Sequence, residues 1–506
     1  MQDRASSRRR FISGCVTGAL VGMASPSLLA GPRSRTAAPS TPGPREPRLA
    51  VDPNLVQIDL SMAPTQAQVL IGAKTNTWQY NGVLRSGSAA VQAIPGSYLG
   101  PVIRVRKGMN LRIRLINNIG EPSITHWHGL DVPAAMDGHP ESVIPHGATF
   151  DYEFPVINRA GTYWYHPHPH MRTGQQVLNG LAGFFIVGDE DEDRLQLPRG
   201  PYDVPLCIQD RSFDALNQFT YTTNMMVGFL GSTILVNGRP NHVLSAATRV
   251  YRLRLLNGSN SRIYKLAFSD GTPMIVIGND GGLIDTPRQY PYVILAPGER
   301  VDLWADFRSK AVGQQIVMQS LSFSGAGGAQ GTELDLFRIS IDRREAEYLA
   351  LPKTLSTILS YRLQDAVNAA NPKVYPISMQ MMQGFTLNGA TWDPNVVAAN
   401  ERAACHALEV IQITNTSGMQ IVAHPIHFHG RQFQILDRTV TAGAQAAWLT
   451  VKDGYVDVGW KDTFLMMPGE TVRLLVRHGG YPGKYLYHCH NLVHEDMGMM
   501  RNFQLL

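Results

Sequence analysis

The feature that most restricts the fold of this chain is a threefold repetition of strand and turn signals. An alternating run ending in Asn or Gly recurs at Leu111–Asn118, Tyr251–Gly258 and Leu408–Asn415. Each is followed by a Pro/Gly turn leading into a second run: Pro145-His146-Gly147 before Phe150–Phe154, Pro297-Gly298 before Val301–Phe307, and Pro468-Gly469 before Val472–Val476. A third signal, an aromatic run ending in His, occupies Ala160–His166 and Pro482–His488; the middle copy reaches Ser320–Phe323 there and has no His. Period-two alternation bounded by Gly, Pro and Asn reads as β-strand, and ordered recurrence reads as one unit repeated. The expectation is an all-β chain of three β-sandwich modules. The clearest helical stretch is Ser356–Ala370, between the second and third modules.

The chemistry concentrates in His pairs. Of 16 His, ten fall in four clusters: His126-Trp127-His128, His166-Pro167-His168, His424-Pro425-Ile426-His427-Phe428-His429, and Tyr487-His488-Cys489-His490 with His494. In a strand, residues i and i+2 share a face. Four pairs, eight imidazoles, therefore project together: His126/His128, His166/His168, His427/His429 and His488/His490. His424 stands at an odd offset from His427 and faces the other way, as Cys489 does relative to its flanking His. His494 and Met499 follow Cys489 by five and ten residues. Imidazole, thiolate and a weak thioether are a blue-copper ligand set, whereas zinc favours closed four-ligand sites. Eight further imidazoles exceed the needs of one ion. Two metal centres bridged by Cys489 and its neighbours imply an electron relay. Pro425 and Pro167 weaken the parity reading, because proline interrupts strand geometry.

Composition narrows the class. Residues 1–50 hold eight Arg against Asp3 and Glu46, a charge of +6; subtracted from +5, this leaves about −1 for the remainder. A chain so nearly neutral has no nucleic-acid footprint. Cys207 and Cys405 read as free thiols rather than a disulfide framework. Ser7-Arg8-Arg9-Arg10-Phe11-Ile12 followed by the apolar Gly14–Ala30 resembles a twin-arginine export signal, too interrupted and short for a stable membrane span. The expected layout is a leader at 1–30, a disordered linker at 31–48, modules at 49–190, 200–342 and 376–506, and a linker at 343–375.

These four clusters, in this order and spacing, resemble those of the multicopper oxidases: laccases, bacterial copper-efflux oxidases and their relatives. The resemblance covers essentially the whole chain after the leader. It implies three cupredoxin-like Greek-key domains and four coppers per chain. His424, Cys489, His494 and Met499 match the type 1 ligands. His126 and His427 match the type 2 ligands. His128, His166 and His490 match one type 3 copper, and His168, His429 and His488 the other. Asp137 and Glu495 match carboxylates on the proton path for O2 reduction. Met497 and Met500 compete with Met499 for the axial position. His139, His146, His170, His242, His406 and His478 fall outside the pattern.

The electron donor is the open question. Copper-efflux relatives carry a long Met/His-rich insert in the third domain, where this chain has only Met379-Gln380-Met381-Met382. They also place Asp and Met four and two residues before the first His of the HxxHxH motif, where this chain has Gln420 and Val422. Both departures favour a laccase-like oxidase of phenols or aromatic amines, with O2 as acceptor, over oxidation of Cu(I), Fe(II) or Mn(II). A non-enzymatic carrier, or a scaffold that has lost its copper ligands, leaves the eight paired His without a role. A monomer in the periplasm or outside the cell is expected.

Overall fold

The computed structural model describes residues 52–380, 384–415 and 422–506. The leader, the first linker, Cys15, Met381, Met382 and Gln420 lie outside them.

Six sheets carry the described chain, two drawn from each module. Pairing repeats as the sequence signals did. In each module a first strand runs parallel to the alternating run: Leu55–Ala67 beside Asn110–Asn117, Asp203–Phe213 beside Val250–Asn257, and Lys373–Gln380 beside Leu408–Thr414. The alternating run then pairs antiparallel with the strand after the Pro/Gly turn: Thr149–Pro155, Arg300–Asp306 and Glu470–Arg477. The turn is closed by the same bond each time. Gly147 N donates to Asn117 O, Gly298 N to Asn257 O, and Gly469 N to Asn415 O, at 2.6, 3.0 and 2.7 Å. All three glycines sit at φ near +80°, which a Cβ disfavours. The fold is all-β, three cupredoxin-like sandwiches.

Each module has its own apolar core between its sheets, and the cores account for the parity of the His strands. Trp127 is fully buried with Tyr152 and Phe154, so its neighbours His126 and His128 must project from the opposite face. Ile426, Phe428, Tyr487 and Cys489 are core residues of module three, which turns His427, His429, His488 and His490 outward from it. A buried Trp contributes about 3–5 kcal/mol by truncation. The strand faces are therefore set by apolar burial, and the imidazoles take what remains.

The expected helix at Ser356–Ala370 does not form; only the 3-10 turn Leu363–Asp365 is helical there. Its backbone donors are spent elsewhere: Leu355 N and Ser356 N on Asp285 O, Tyr361 N on Gln434 Oε1, Val367 N on Leu408 O. Residues 356–362 run as a strap without regular structure across modules two and three, and residues 363–370 form successive turns. No helix among the described residues is long and apolar enough to cross a membrane. Cys207 and Cys405 are free, the first buried and the second half-buried.

Candidate metal centres

Two strand pairs, one from module one and one from module three, bring the His clusters together. Thr125–His128 pairs with Gly161–Pro167, setting His126 opposite His166. His424–Phe428 pairs with Gly483–Cys489, setting His427 opposite His488 and Ile426 opposite Cys489. Pro425 and Pro167 both lie within these strands, so the alternation survives them.

The eight paired imidazoles converge in one chamber and are 0–1% exposed. His126 Nε2 lies 3.3 Å from His427 Nε2, and His128 Nδ1 lies 3.4 Å from His166 Nε2. His488 Nε2 lies 3.0 Å from His429 Nε2 and 3.4 Å from His168 Nε2. The ring nitrogens fall into the sets His128/His166/His490, His168/His429/His488 and His126/His128/His427, each within 4.8 Å. His126 stacks on His429, and His128 on His427, with centroids 3.7 Å apart in both pairs.

Backbone and carboxylate acceptors behind the rings fix which nitrogen faces inward. His126 Nδ1 donates to Asp137 O at 2.7 Å, His427 Nδ1 to Asp462 O at 2.8 Å, and His429 Nδ1 to Asp137 Oδ2 at 2.7 Å. His166 Nδ1 donates to Pro167 O and His488 Nδ1 to Cys489 O. His128 is reversed: Nε2 donates to Asp462 Oδ1 at 3.0 Å, leaving Nδ1 facing His166. A ring that donates from one nitrogen presents a lone pair at the other.

The donor set fits metal ions. Lone pairs facing one another at 3.0–3.4 Å repel unless a cation lies between them. Two nitrogens each about 2.0 Å from an ion in tetrahedral array stand about 3.3 Å apart. His490 is buried with neither nitrogen hydrogen-bonded, and His168 Nδ1 and His424 Nε2 also lack partners. Burial, reinforced by neighbouring imidazoles, pushes His128, His166, His168, His427, His429 and His490 well below the ordinary histidine range. Those six rings are thereby held in the neutral form, the form that ligates.

The second site lies on the other face of the same strand. Cys489 Sγ is 3.5 Å from His424 Nδ1 and 3.6 Å from His494 Nδ1. Asn491 caps the short helix Leu492–Asp496, accepting from Val493 N, and this turn returns His494 to the Cys. Met499 N donates to His494 O, and Cys489 N to Met499 O. Met499 is fully buried in the apolar cluster that holds Cys489; Met497 packs with Leu178, Phe229 and Val493 instead, and Met500 is paired in register with His488. Phe385 packs edge-on and tilted against His424 and His494, at 4.7 and 4.6 Å. Burial pushes the Cys489 thiol up, so its thiolate requires a cation beside it.

Two carboxylates expected from the sequence lie against the chamber. Asp137, fully buried, holds His429 through Oδ2, and its Oδ1 has no hydrogen-bond partner. Glu495 is 2% exposed; Oε2 lies 3.2 Å from His488 Nδ1 and Oε1 3.6 Å from His168 Nε2, yet neither oxygen is hydrogen-bonded. His170 is half-buried against Trp392, outside the chamber. His478 donates to Glu409, and His139 to Asn502.

Three contributors were not legible in the sequence. Asp462 serves His128 through its side chain and His427 through its carbonyl. Arg300, from the module without metal residues, grips Asp462 with two donors at 2.7 and 2.6 Å. Asp496 accepts from Thr173 N and Gly174 N, tying the His494 turn to module one. The only sequence signal was position: Arg300 follows the repeated Pro/Gly turn, and Asp462 precedes a core strand.

Comparison with known proteins agrees with this geometry. Two family models described as multicopper oxidase match residues 74–192 and 366–505. The chain is 33% identical to the multicopper oxidase mco of Staphylococcus haemolyticus, over 80% of this chain and 81% of that protein. It is 29% identical to a laccase of Bacillus subtilis, over 84% of this chain and 90% of that one. The crystal structure of the McoA multicopper oxidase of Aquifex aeolicus superposes with a TM-score of 0.77 at 35% identity, covering 89% of this chain and 96% of that one. The chain belongs to the multicopper oxidase family and is a copper oxidoreductase.

Proposed function

We propose that this protein is a laccase-like oxidase that takes single electrons from phenols or aromatic amines and delivers them to O2. Four coppers per chain are proposed: one at His424, Cys489, His494 and Met499, one at His126 and His427, one at His128, His166 and His490, and one at His168, His429 and His488. When bound, copper supplies one-electron uptake at the Cys489 site and four-electron reduction of O2 to two waters at the His chamber.

The observation that carries this reading is the junction at His488-Cys489-His490. Cys489 Sγ faces His424 and His494 while the adjoining rings enter the chamber. The two sites are thus joined through a few covalent bonds of one strand. Cys489 completes the outer site; His488 and His490 continue the path inward. The remaining residues handle protons. Asp137 orients His429 and keeps one oxygen free. Glu495 keeps both oxygens free beside His168 and His488. A buried carboxylate with open acceptors can hold a proton at a stated atom and release it toward the chamber. The Ser7–Ile12 stretch supports export by the twin-arginine route, to the periplasm or outside the cell, and we propose a monomer.

A second reading, oxidation of a metal ion such as Cu(I), draws on the thioethers around His494. His494 Nε2 donates to Met226 O. Met226 and Met379 both pack against the cluster containing Cys489, and Met497 borders Gly384 next to Phe385. Thioethers suit Cu(I). O2 uptake by copper-loaded protein, measured with a phenol and separately with Cu(I), tests the two. Blue colour and uptake with the phenol support the laccase-like reading. Uptake with Cu(I) and none with phenols transfers it to metal-ion oxidation. Colour without uptake from any donor leaves an electron carrier and sinks both.

A further inference from the structure

The middle module has no metal residues, yet one wall of the His chamber belongs to it. Its Pro/Gly turn places Gly298 so close that a Cβ there would stand 3.1 Å from both His128 and His490, at a φ of +87°. Two residues on, the fully buried Arg300 reaches all three modules. Nε donates to Thr162 O of module one at 2.9 Å. Nη1 and Nη2 donate to Gly298 O and Asp280 O of its own module, each at 2.9 Å. The same two nitrogens grip the carboxylate of Asp462 in module three. Asp462 in turn holds two rings drawn from different modules, His128 through Oδ1 and His427 through its carbonyl. Thr463 Oγ1 completes the contact, 2.9 Å from Asp462 Oδ1 and 3.1 Å from His128 Nε2.

The surrounding charges close this unit off. Lys461 bridges Asp280 and Glu299 at 2.9 Å each. Asp280, Glu299 and Asp462 against Arg300 and Lys461 sum to −1. Only Asp462 of the five touches an imidazole, and only Arg300 holds its carboxylate with a planar fork. That geometry admits one orientation of the carboxylate and therefore one of the His128 ring.

We propose that Arg300 and Asp462 form a positioning pair through which the metal-free middle module sets the metal affinity of the His chamber. The proposal rests on the reading that the chamber holds copper. The pair fixes His128 with Nδ1 inward and His427 with Nε2 inward, one ring from each of the two ligating modules. Its loss lets these rings turn, and the chamber loosens while the Cys489 site, on the far face of its strand, is untouched. Partners behind metal-bound His typically tune affinity by about 10–100-fold.

Replacing Arg300 alone would strand Asp462 as an unpaired buried charge, and such a chain is expected to fail to fold. Asp462→Asn keeps the shape and leaves Arg300 a second carboxylate, Asp280 Oδ1 at 3.6 Å from its Nη1. The double variant Arg300→Met with Asp462→Leu removes both charges and leaves the local sum at −1, from Asp280, Glu299 and Lys461. Arg438→Lys serves as a control, because Arg438 is a buried ion-paired arginine of module three, bound to Asp457 and Glu470 and touching no His. The full copper-loaded chains are titrated with a copper chelator. Total copper by metal analysis reports both centres, the blue absorption reports the Cys489 site alone, and thermal unfolding of the copper-free chains reports stability.

Asp462→Asn and the double variant are expected to release chamber copper at about 10–100-fold lower chelator, with the blue absorption lost at the parent's concentration. Arg438→Lys is expected to lower the unfolding temperature with no selective release. Chamber copper held as in the parent by both variants overturns the proposal. So does joint loss of both centres accompanied by a fall in the copper-free unfolding temperature, which is the signature of a merely structural pair. A parent chain that takes up copper only at Cys489 overturns the functional reading, and this proposal with it.

Discussion

His429 donates from Nδ1 to Asp137 Oδ2 at 2.7 Å, across 292 residues and from one module to another. The same aspartate accepts from His126 Nδ1 through its backbone carbonyl. Asp137→Asn preserves the size of the side chain and can preserve the bond to His429, but it cannot hold a proton. Copper is expected to stay bound and the blue site to be reduced by donor as before, while steady-state O2 consumption falls by about 100-fold or more. Full turnover in that variant would remove Asp137 from the proton path.

Glu495 presents two unpartnered oxygens beside His168 and His488. Glu495→Gln retains the volume and removes the ionisable group. The donor's kcat is expected to fall about 100-fold or more and its KM to fall with it, so that kcat/KM for the donor holds, with the rate of blue-site reduction in the absence of O2 unaltered. A kcat within a factor of about two of the parent assigns Glu495 a structural role.

Met499 shares the core cluster of Cys489, whereas Met497 does not. Removing a weak thioether donor takes electron density from the oxidised copper more than from the reduced one. Met499→Leu is therefore expected to keep the blue colour and raise the reduction potential of that site, and Met497→Leu to leave both as they are. A potential moved by the second substitution and not the first reverses the assignment of the axial ligand.

Acid should weaken the copper-free chain. Burial pulls His494 down to about 4, against about 6.5 when unfolded. Below 6.5 the unfolded chain binds the extra proton, so the stability is complete above that pH and is lost as pH falls toward 4. For His494 alone the difference is ~3 kcal/mol, and His128, His427 and His490 shift in the same direction through burial. The urea midpoint of the copper-free protein is expected to be lower at pH 5 than at pH 7. An equal or higher midpoint at pH 5 would contradict neutral, buried imidazoles.

The helix expected at Ser356–Ala370 shows where local pattern misled. Nothing in that stretch announces that its donors are taken by Asp285, Gln434 and Leu408. Elsewhere local pattern sufficed. The three Asn-closed turns repeat their hydrogen bond in the structure because each is satisfied within 54 residues of chain.

By itself the sequence determined the strands, their triplication, and which His share a face, because side-chain direction in a strand has a period of two and a buried Trp127 or Tyr487 fixes its phase. It also determined that Cys489 and His424 stand apart from the paired rings. Tertiary structure alone decided what those rings lean on. Asp462 and Arg300 act on His128 across 334 and 172 residues respectively, and no periodicity spans that distance. A module stripped of its own metal residues reads, in sequence, as a spacer. In space its Gly298 and Arg300 form a wall of the chamber, because a buried ion pair is chosen by which surfaces meet.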